Sequence, residues 1–396
     1  MNHKPLAGFR VLEVGAYISA PYCGALLAAM GADVVKVEPL EGEAFRRSKG
    51  VDDPYFVQYN AGKRSLAVNL KSESGVQLIE SLLPKFDVLF ENMRPGKMDS
   101  LGLGADRCAQ INPGLVYASI SGFGNGGPLR DHPAFDTIGQ SYGGLYSVMN
   151  DAQDRRLTGT CLADLTTALC TCLGIVSALA GRERAGAGRG MRVETSVFEA
   201  MSALTIDAMT QAMASDVDPV RDSRHPQAVN FCLATACGQA ITMHLSVSDK
   251  FWRALMREVG RPELIDDPRF RTYGDRAIRE NYFALKQILE GEFLKRTRAE
   301  WEAALTKADV PFAPVLTLKE LAVHPQTQWL QLITGLPQGG ALVRPPWRFD
   351  GDRPVREQHV PQIGEHSREV LREILPEAEI DTLMAKGTVA GPRSVA

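Results

Sequence analysis

From residue 10 onward the chain alternates short β-rich runs with helical patterns, and this rhythm constrains its fold more than any other feature. Strands that alternate with helices make βαβ units, and these stack into a parallel sheet with helices on its faces. Residues 10–14 (Arg-Val-Leu-Glu-Val) predict a strand, 21–30 a helix and 32–38 a second strand, which together form one such unit. The pattern continues with a helix over 72–83, a strand over 88–90, a short helix over 105–111 and a strand over 115–120. An apolar helix is predicted over 165–180, closed by Gly181 and a charged, glycine-rich turn, and followed by a strand over 192–196. The fold class is therefore α/β.

A chain of 396 residues is long enough for two or three domains. Residues 1–214 read as the large domain. The polar stretch 215–227, with two prolines, reads as a linker. A strand near 240–245 and helical patterns at 249–259, 276–289 and 298–308 outline a smaller α+β domain over 228–330. A second linker spans 331–361, Pro-rich from residue 343, and a last helix over 367–375 stops at Pro376 and packs back on the first domain.

Lys plus Arg number 44 against 47 for Asp plus Glu, a net charge of −3, which argues against nucleic-acid and anionic-membrane partners. The apolar stretches 15–32 and 168–180 are too short or too broken to suggest a membrane span. Residues 1–5 lack the apolar run of a secretory signal, so a cytoplasmic protein is expected. Seven cysteines carry no Cys-x-x-Cys pair and no zinc-finger spacing, so neither a disulfide framework nor a metal site is expected. Most, Cys237 included, are expected as small packing residues.

Four segments carry candidate chemistry. The turn 15–20 (Gly-Ala-Tyr-Ile-Ser-Ala), with Glu38 at the end of the next strand, has the layout of a nucleotide site but one glycine where a nicotinamide fingerprint needs three. The loop 121–128 (Ser-Gly-Phe-Gly-Asn-Gly-Gly-Pro) reads as a surface loop or as a lid over a site. Residues 92–96 (Asn-Met-Arg-Pro-Gly) follow a strand at the carboxyl end of the sheet, where they either hold a polar head group or form a capped turn. Asp164 opens an apolar helix. It is either the helix N-cap or a nucleophile toward an activated acyl group.

These residues, with the stretches 6–13, 30–39, 59–66, 91–104, 119–124 and 163–165, resemble the class III coenzyme A transferases, a family that includes formyl-CoA transferase and carnitine CoA-transferase, with the α-methylacyl-CoA racemases as relatives. The resemblance implies a Rossmann-like large domain completed by residues 345–396, a smaller domain between linkers, and a homodimer of interlocked rings. It implies that Asp164 attacks a thioester to form a mixed anhydride and then an aspartyl-CoA thioester. Acyl-CoA and a carboxylic acid are the substrates, with no metal and no permanently bound cofactor. Ile18, Tyr55, Phe135 and Asp136 fall at acyl-site positions, and Val68, Lys71, Asn92 and Met93 at CoA contacts. Two family arginines are replaced by Pro39 and Ser100, so Arg46, Arg47, Arg94 and Lys97 become the candidates for the CoA phosphates. The racemases carry a histidine where this chain has Phe135, and a phenyl ring moves no proton. A racemase using Asp164 as a base, and a CoA-binding protein without chemistry, stand as alternatives.

Overall fold

The computed structural model describes residues 4–46, 53–151, 153–186, 188–245, 249–337 and 339–393. The chain divides into two compact units, one built from Met1–Tyr146, Arg156–Met209 and Gln326–Ala396, the other from Ser147–Arg155 and Thr210–Pro325.

The first unit holds a seven-stranded sheet. Its strands are β1 (Arg10–Val14), β2 (Asp33–Glu38), β3 (Arg64–Val68), β4 (Val88–Glu91), β5 (Val116–Ser121), β6 (Arg192–Ser196) and β12 (Val389–Ala390), in the order β12-β3-β2-β1-β4-β5-β6. All neighbours run parallel except β12, which is antiparallel to β3. The chain winds outward from β1 in both directions, so the order reverses between β1 and β4, where open α/β sheets leave a crevice for ligands.

Strand alternation sends successive side chains to opposite faces. Leu12, Val35, Leu66 and Leu89 face one core with α3 (Glu73–Leu82) and α4 (Ala105–Ile111). Val370, Leu371 and Ile380 of the C-terminal segment close that core. Val11, Val34, Val88 and Val116 face the other, under α1 (Ser19–Ala29) and α6 (Leu162–Ala185). The helix at the C-terminal segment is shorter than expected, Ser367–Leu371.

Helix α6 starts earlier and ends later than its sequence pattern indicates. Gly181 does not stop it. Arg182 continues the helix and anchors it by donating to the Gly114 carbonyl oxygen (2.9 Å) and to Asp87 (2.8 Å). The stop is Gly186, at φ 61°, a left-handed conformation that glycine adopts without steric cost. By length and composition Leu162–Arg184 could cross a bilayer. In the fold one face of it is buried, with Ala168, Cys172, Ile175 and Leu179 packed against the sheet.

The second unit packs an antiparallel sheet of β7 (Asn230–Ala234), β8 (Ala240–His244) and β9 (Phe312–Pro314) against helices α8 (Asp249–Glu258), α9 (Arg279–Phe293) and α10 (Arg298–Lys307). The stretch 331–361, expected as a linker, carries the hairpin β10 (Ile333–Gly335) and β11 (Ala341–Val343). Leu336, Leu342 and Val360 of this stretch are buried with Phe56. Cys23, Cys108 and Cys172 are buried, but Cys237 is exposed, with its thiol bonded to the side chains of Thr235 and Gln239. It is not a packing residue.

Candidate active site

The turn after β1 is held from three sides. Lys36 Nζ donates to the Gly15 carbonyl oxygen (2.8 Å), Asn92 Oδ1 accepts the Ala16 N–H (3.1 Å), and Glu43 Oε2 accepts the Tyr17 N–H (3.0 Å). The Asn92 amide also donates to the Ala16 carbonyl oxygen and to Ser19 Oγ. Tyr17 sits at φ 67°, a conformation that a tyrosine keeps only where its surroundings impose it. Beneath the turn, Glu13 accepts from Lys36 (2.9 Å) and Lys63 (2.6 Å), and all three side chains are buried. Burial drives the Lys63 ammonium down to about 8. Gly24 is dictated by this triad, because a Cβ there would lie 2.1 Å from Glu13 Oε2.

A cavity of about 790 Å³ opens beside the turn, at the carboxyl ends of β1 to β4. Of the residues predicted to contact CoA, Val68, Lys71, Asn92, Met93 and Lys97 line it. Arg94 is exposed and is not among the lining residues. Asn92 faces the cavity while its amide clamps the turn. Arg46 is unavailable to a phosphate, because it is fully buried in a bidentate pair with Glu38, both contacts 2.8 Å. Ser65 and the Glu43 N–H occupy the remaining acceptor positions of Glu38, which leaves that acid no site for a ribose. Arg47 lies outside the described residues.

Ile18 is buried at the start of α1 and faces no part of this cavity's wall. An aromatic wall joins Tyr55 to Phe135: Tyr55 stacks on Phe45 (5.6 Å), Phe45 meets Tyr17 edge-on (5.8 Å), and Tyr17 meets Phe135 edge-on (6.3 Å). Phe135 precedes α5 (Asp136–Tyr142), whose first residue, Asp136, reaches the N-terminus of α6. Asp136 Oδ1 accepts the backbone N–H groups of Ala163 (2.9 Å) and Asp164 (3.2 Å).

Asp164 is thus not the N-cap of its helix. It is the third residue, and the orphan donors of the first turn are satisfied by Asp136 from another helix. This leaves the Asp164 carboxylate without those donors, in a largely buried site beside a second acid. Burial, and then the charge of Asp136, push it up from its ordinary value of 3.8 to about 7. Asp136 is itself held: Gln140 Nε2 donates to its Oδ2 (2.5 Å), and Thr158 donates to Gln140 Oε1 (2.6 Å). Sequence reasoning missed Tyr17, Glu43 and Gln140. Gln140 carried a signal, since it lies one helical turn beyond Asp136, the spacing at which side chains meet.

A family model described as CoA-transferase family III matches residues 6–367. The chain is 34% identical to an acetyl-CoA:oxalate CoA-transferase of Acetobacter aceti, over 95% of this chain and 97% of that one. It is 30% identical to a succinyl-CoA–D-citramalate CoA-transferase of Chloroflexus aurantiacus, over 96% of each. Among solved structures it is similar to a CAIB/BAIF family protein from Brucella suis, at 30% identity and a TM-score of 0.83, over 94% of this chain and all of that one.

Proposed function

From the premise that the chain belongs to CoA-transferase family III and is an enzyme of that family, we propose that it moves CoA from an acyl-CoA to a carboxylic acid with Asp164 as the covalent nucleophile. In the first step an Asp164 oxygen attacks the thioester carbonyl and the CoA thiolate leaves, giving a mixed anhydride. The thiolate then attacks the Asp164 carbonyl, the donor acid departs, and an aspartyl-CoA thioester remains. The acceptor carboxylate attacks that thioester and the thiolate attacks the new acyl carbonyl, which releases the new acyl-CoA and restores Asp164.

The single observation that carries this reading is the position of Asp164, largely buried, beside the charge of Asp136 and stripped of backbone donors. Both effects destabilise the carboxylate and make it more basic, and each covalent intermediate relieves them by removing the charge. A rise from 3.8 to about 7 corresponds to roughly 4 kcal/mol at about 1.4 kcal/mol per unit. Lys71 and Lys97 stand at the cavity and are the residues we assign to the CoA phosphates; Val68 and Met93 offer apolar surface to the nucleotide and pantetheine. Tyr17, Tyr55 and Phe135 form a wall for the acyl group.

We also propose a homodimer. The apolar side chains Leu169, Leu173, Phe198, Leu204 and Met209 are exposed along α6 and α7 (Val197–Ala214), which supports a partner copy on those helices.

The test is turnover with a panel of acyl-CoAs and acids in deuterated water. CoA transfer by the wild-type enzyme, lost by at least 10³-fold in Asp164→Ala, with no deuterium at the α-carbon, is expected. Deuterium incorporation without transfer would instead assign Asp164 the work of a base.

A further inference from the structure

A second, smaller cavity, of about 270 Å³, borders the helical turn that carries the nucleophile. Leu165, the residue after Asp164, lines it, together with Tyr22, Tyr59, Arg344 and Arg356. Ala25, Leu26 and Ala29 of α1 supply an apolar side. Tyr59 also feels the Asp164 charge, which helps burial to hold its phenol up at about 12.

Arg356, at this cavity, differs from Arg46, Lys36 and Lys63, the fully buried cations of the same unit. Arg46 has Glu38, and Lys36 and Lys63 share Glu13. Arg356 has no carboxylate partner among the described residues. Its Nη2 donates to the Gln58 carbonyl oxygen (2.5 Å), and its Nη1 is buried with no acceptor. Arg344 donates to the carbonyl oxygens of Gln331 and Arg353, and its Nε is likewise buried without an acceptor. Neither the Tyr22 nor the Tyr59 hydroxyl has a hydrogen-bond partner among the described residues. A guanidinium without an anion in a desolvated site is costly, and an unfilled N–H adds to the cost. Burial accordingly pulls Arg356 down to about 10.

We propose that this cavity binds the free carboxylate of a short dicarboxylic acid whose other carboxylate reacts at Asp164. The inference rests on Asp164 as the nucleophile. A carboxylate is planar and accepts from a guanidinium fork, which suits Arg356. The two phenols complete its shell, and the alkyl segment lies on Leu165 and the alanines of α1. The volume admits a chain of a few carbons and excludes a nucleotide.

The test uses the full-length enzyme with succinate and glutarate as acceptors, against butyrate as a monocarboxylate of matched length. Arg356→Met is expected to lower kcat/KM at least 50-fold for the dicarboxylates, through KM, and less than 3-fold for butyrate. Tyr59→Phe, which retains the ring, should lower the dicarboxylate values 5- to 10-fold and serves if Arg356→Met fails to fold. Calorimetric titration of Asp164→Ala with succinate should still show binding, abolished by adding Arg356→Met. That arm separates the two readings, because binding there with no adduct on Asp164 in the wild type would overturn the nucleophile and leave the cavity standing. Equal losses for succinate and butyrate would overturn the proposal, as would inorganic phosphate binding more tightly than succinate.

Discussion

At the scale of single residues, the proposed chemistry turns on the pair Asp136 and Asp164. The groups facing Asp164 are Asp136 from α5, Cys161 from its own first turn and Tyr59 from the helix α2 (Pro54–Asn60). With Asp164 raised to about 7, transfer should lose its nucleophile below neutrality, so that kcat halves near pH 7 and falls tenfold per unit below it. Asp136→Asn keeps an oxygen for the Ala163 and Asp164 N–H groups but removes the charge. Its acid limb should therefore move down by about one unit, since a like charge nearby is one of the two causes of the shift. A pH–rate profile unchanged by that variant would contradict the pairing. The same shift has a stability consequence. A carboxyl raised in the native state stabilises it below the ordinary value of 3.8, and that contribution is lost as pH rises through about 7. Asp164→Asn should therefore be more stable than wild type at pH 8, on the order of 2 kcal/mol, with the advantage vanishing near pH 4. Denaturant melts at the two pH values measure it, and an equal difference at both would contradict it. That Asp164 opens a helix was legible in the sequence. That its cap comes from Asp136 was not, because the capping bond closes over 27 residues of chain and only the fold brings the two together.

At the scale of elements, the strand and helix rhythm of residues 10–120 was readable because apolar residues repeat at the period each element demands. Helix ends were less so. Gly181 reads as a stop, yet Arg182 gains two hydrogen-bonded partners by staying helical, and the chain turns only at Gly186. The turn after β1 reads in the sequence as the layout of a nucleotide site without its glycine fingerprint, and its support was hidden. Glu13, Lys36 and Lys63 are scattered charges in the sequence and a buried triad in the fold. Gly24 offers a test of that support. Gly24→Ala would drive a methyl into Glu13 Oε2 and disturb a buried ion network, so a loss of 3 kcal/mol or more, on the order of other buried-charge disruptions, is expected in thermal or denaturant melts. A loss of under about 0.5 kcal/mol, the range of ordinary surface substitutions, would mean the triad does not hold the turn.

At the scale of the whole molecule, the α/β class was foreseeable from the alternation of strands and helices. The proposed partner copy was not readable from periodicity or charge. It entered through family resemblance, and the exposed apolar residues of α6 and α7 support it. Light scattering should give twice the chain mass of 43.2 kDa, and Leu173→Glu with Leu204→Glu should shift that toward the single-chain value. A wild-type protein at 43.2 kDa across micromolar concentrations would contradict the dimer. The covalent role of Asp164 is read from the mass of the peptide that contains it after the enzyme is mixed with an acyl-CoA donor and acid-quenched. The predicted result is a CoA thioester on Asp164, absent in Asp164→Asn and discharged by adding acceptor acid; an unmodified peptide during active turnover, or an adduct on another residue, would contradict it.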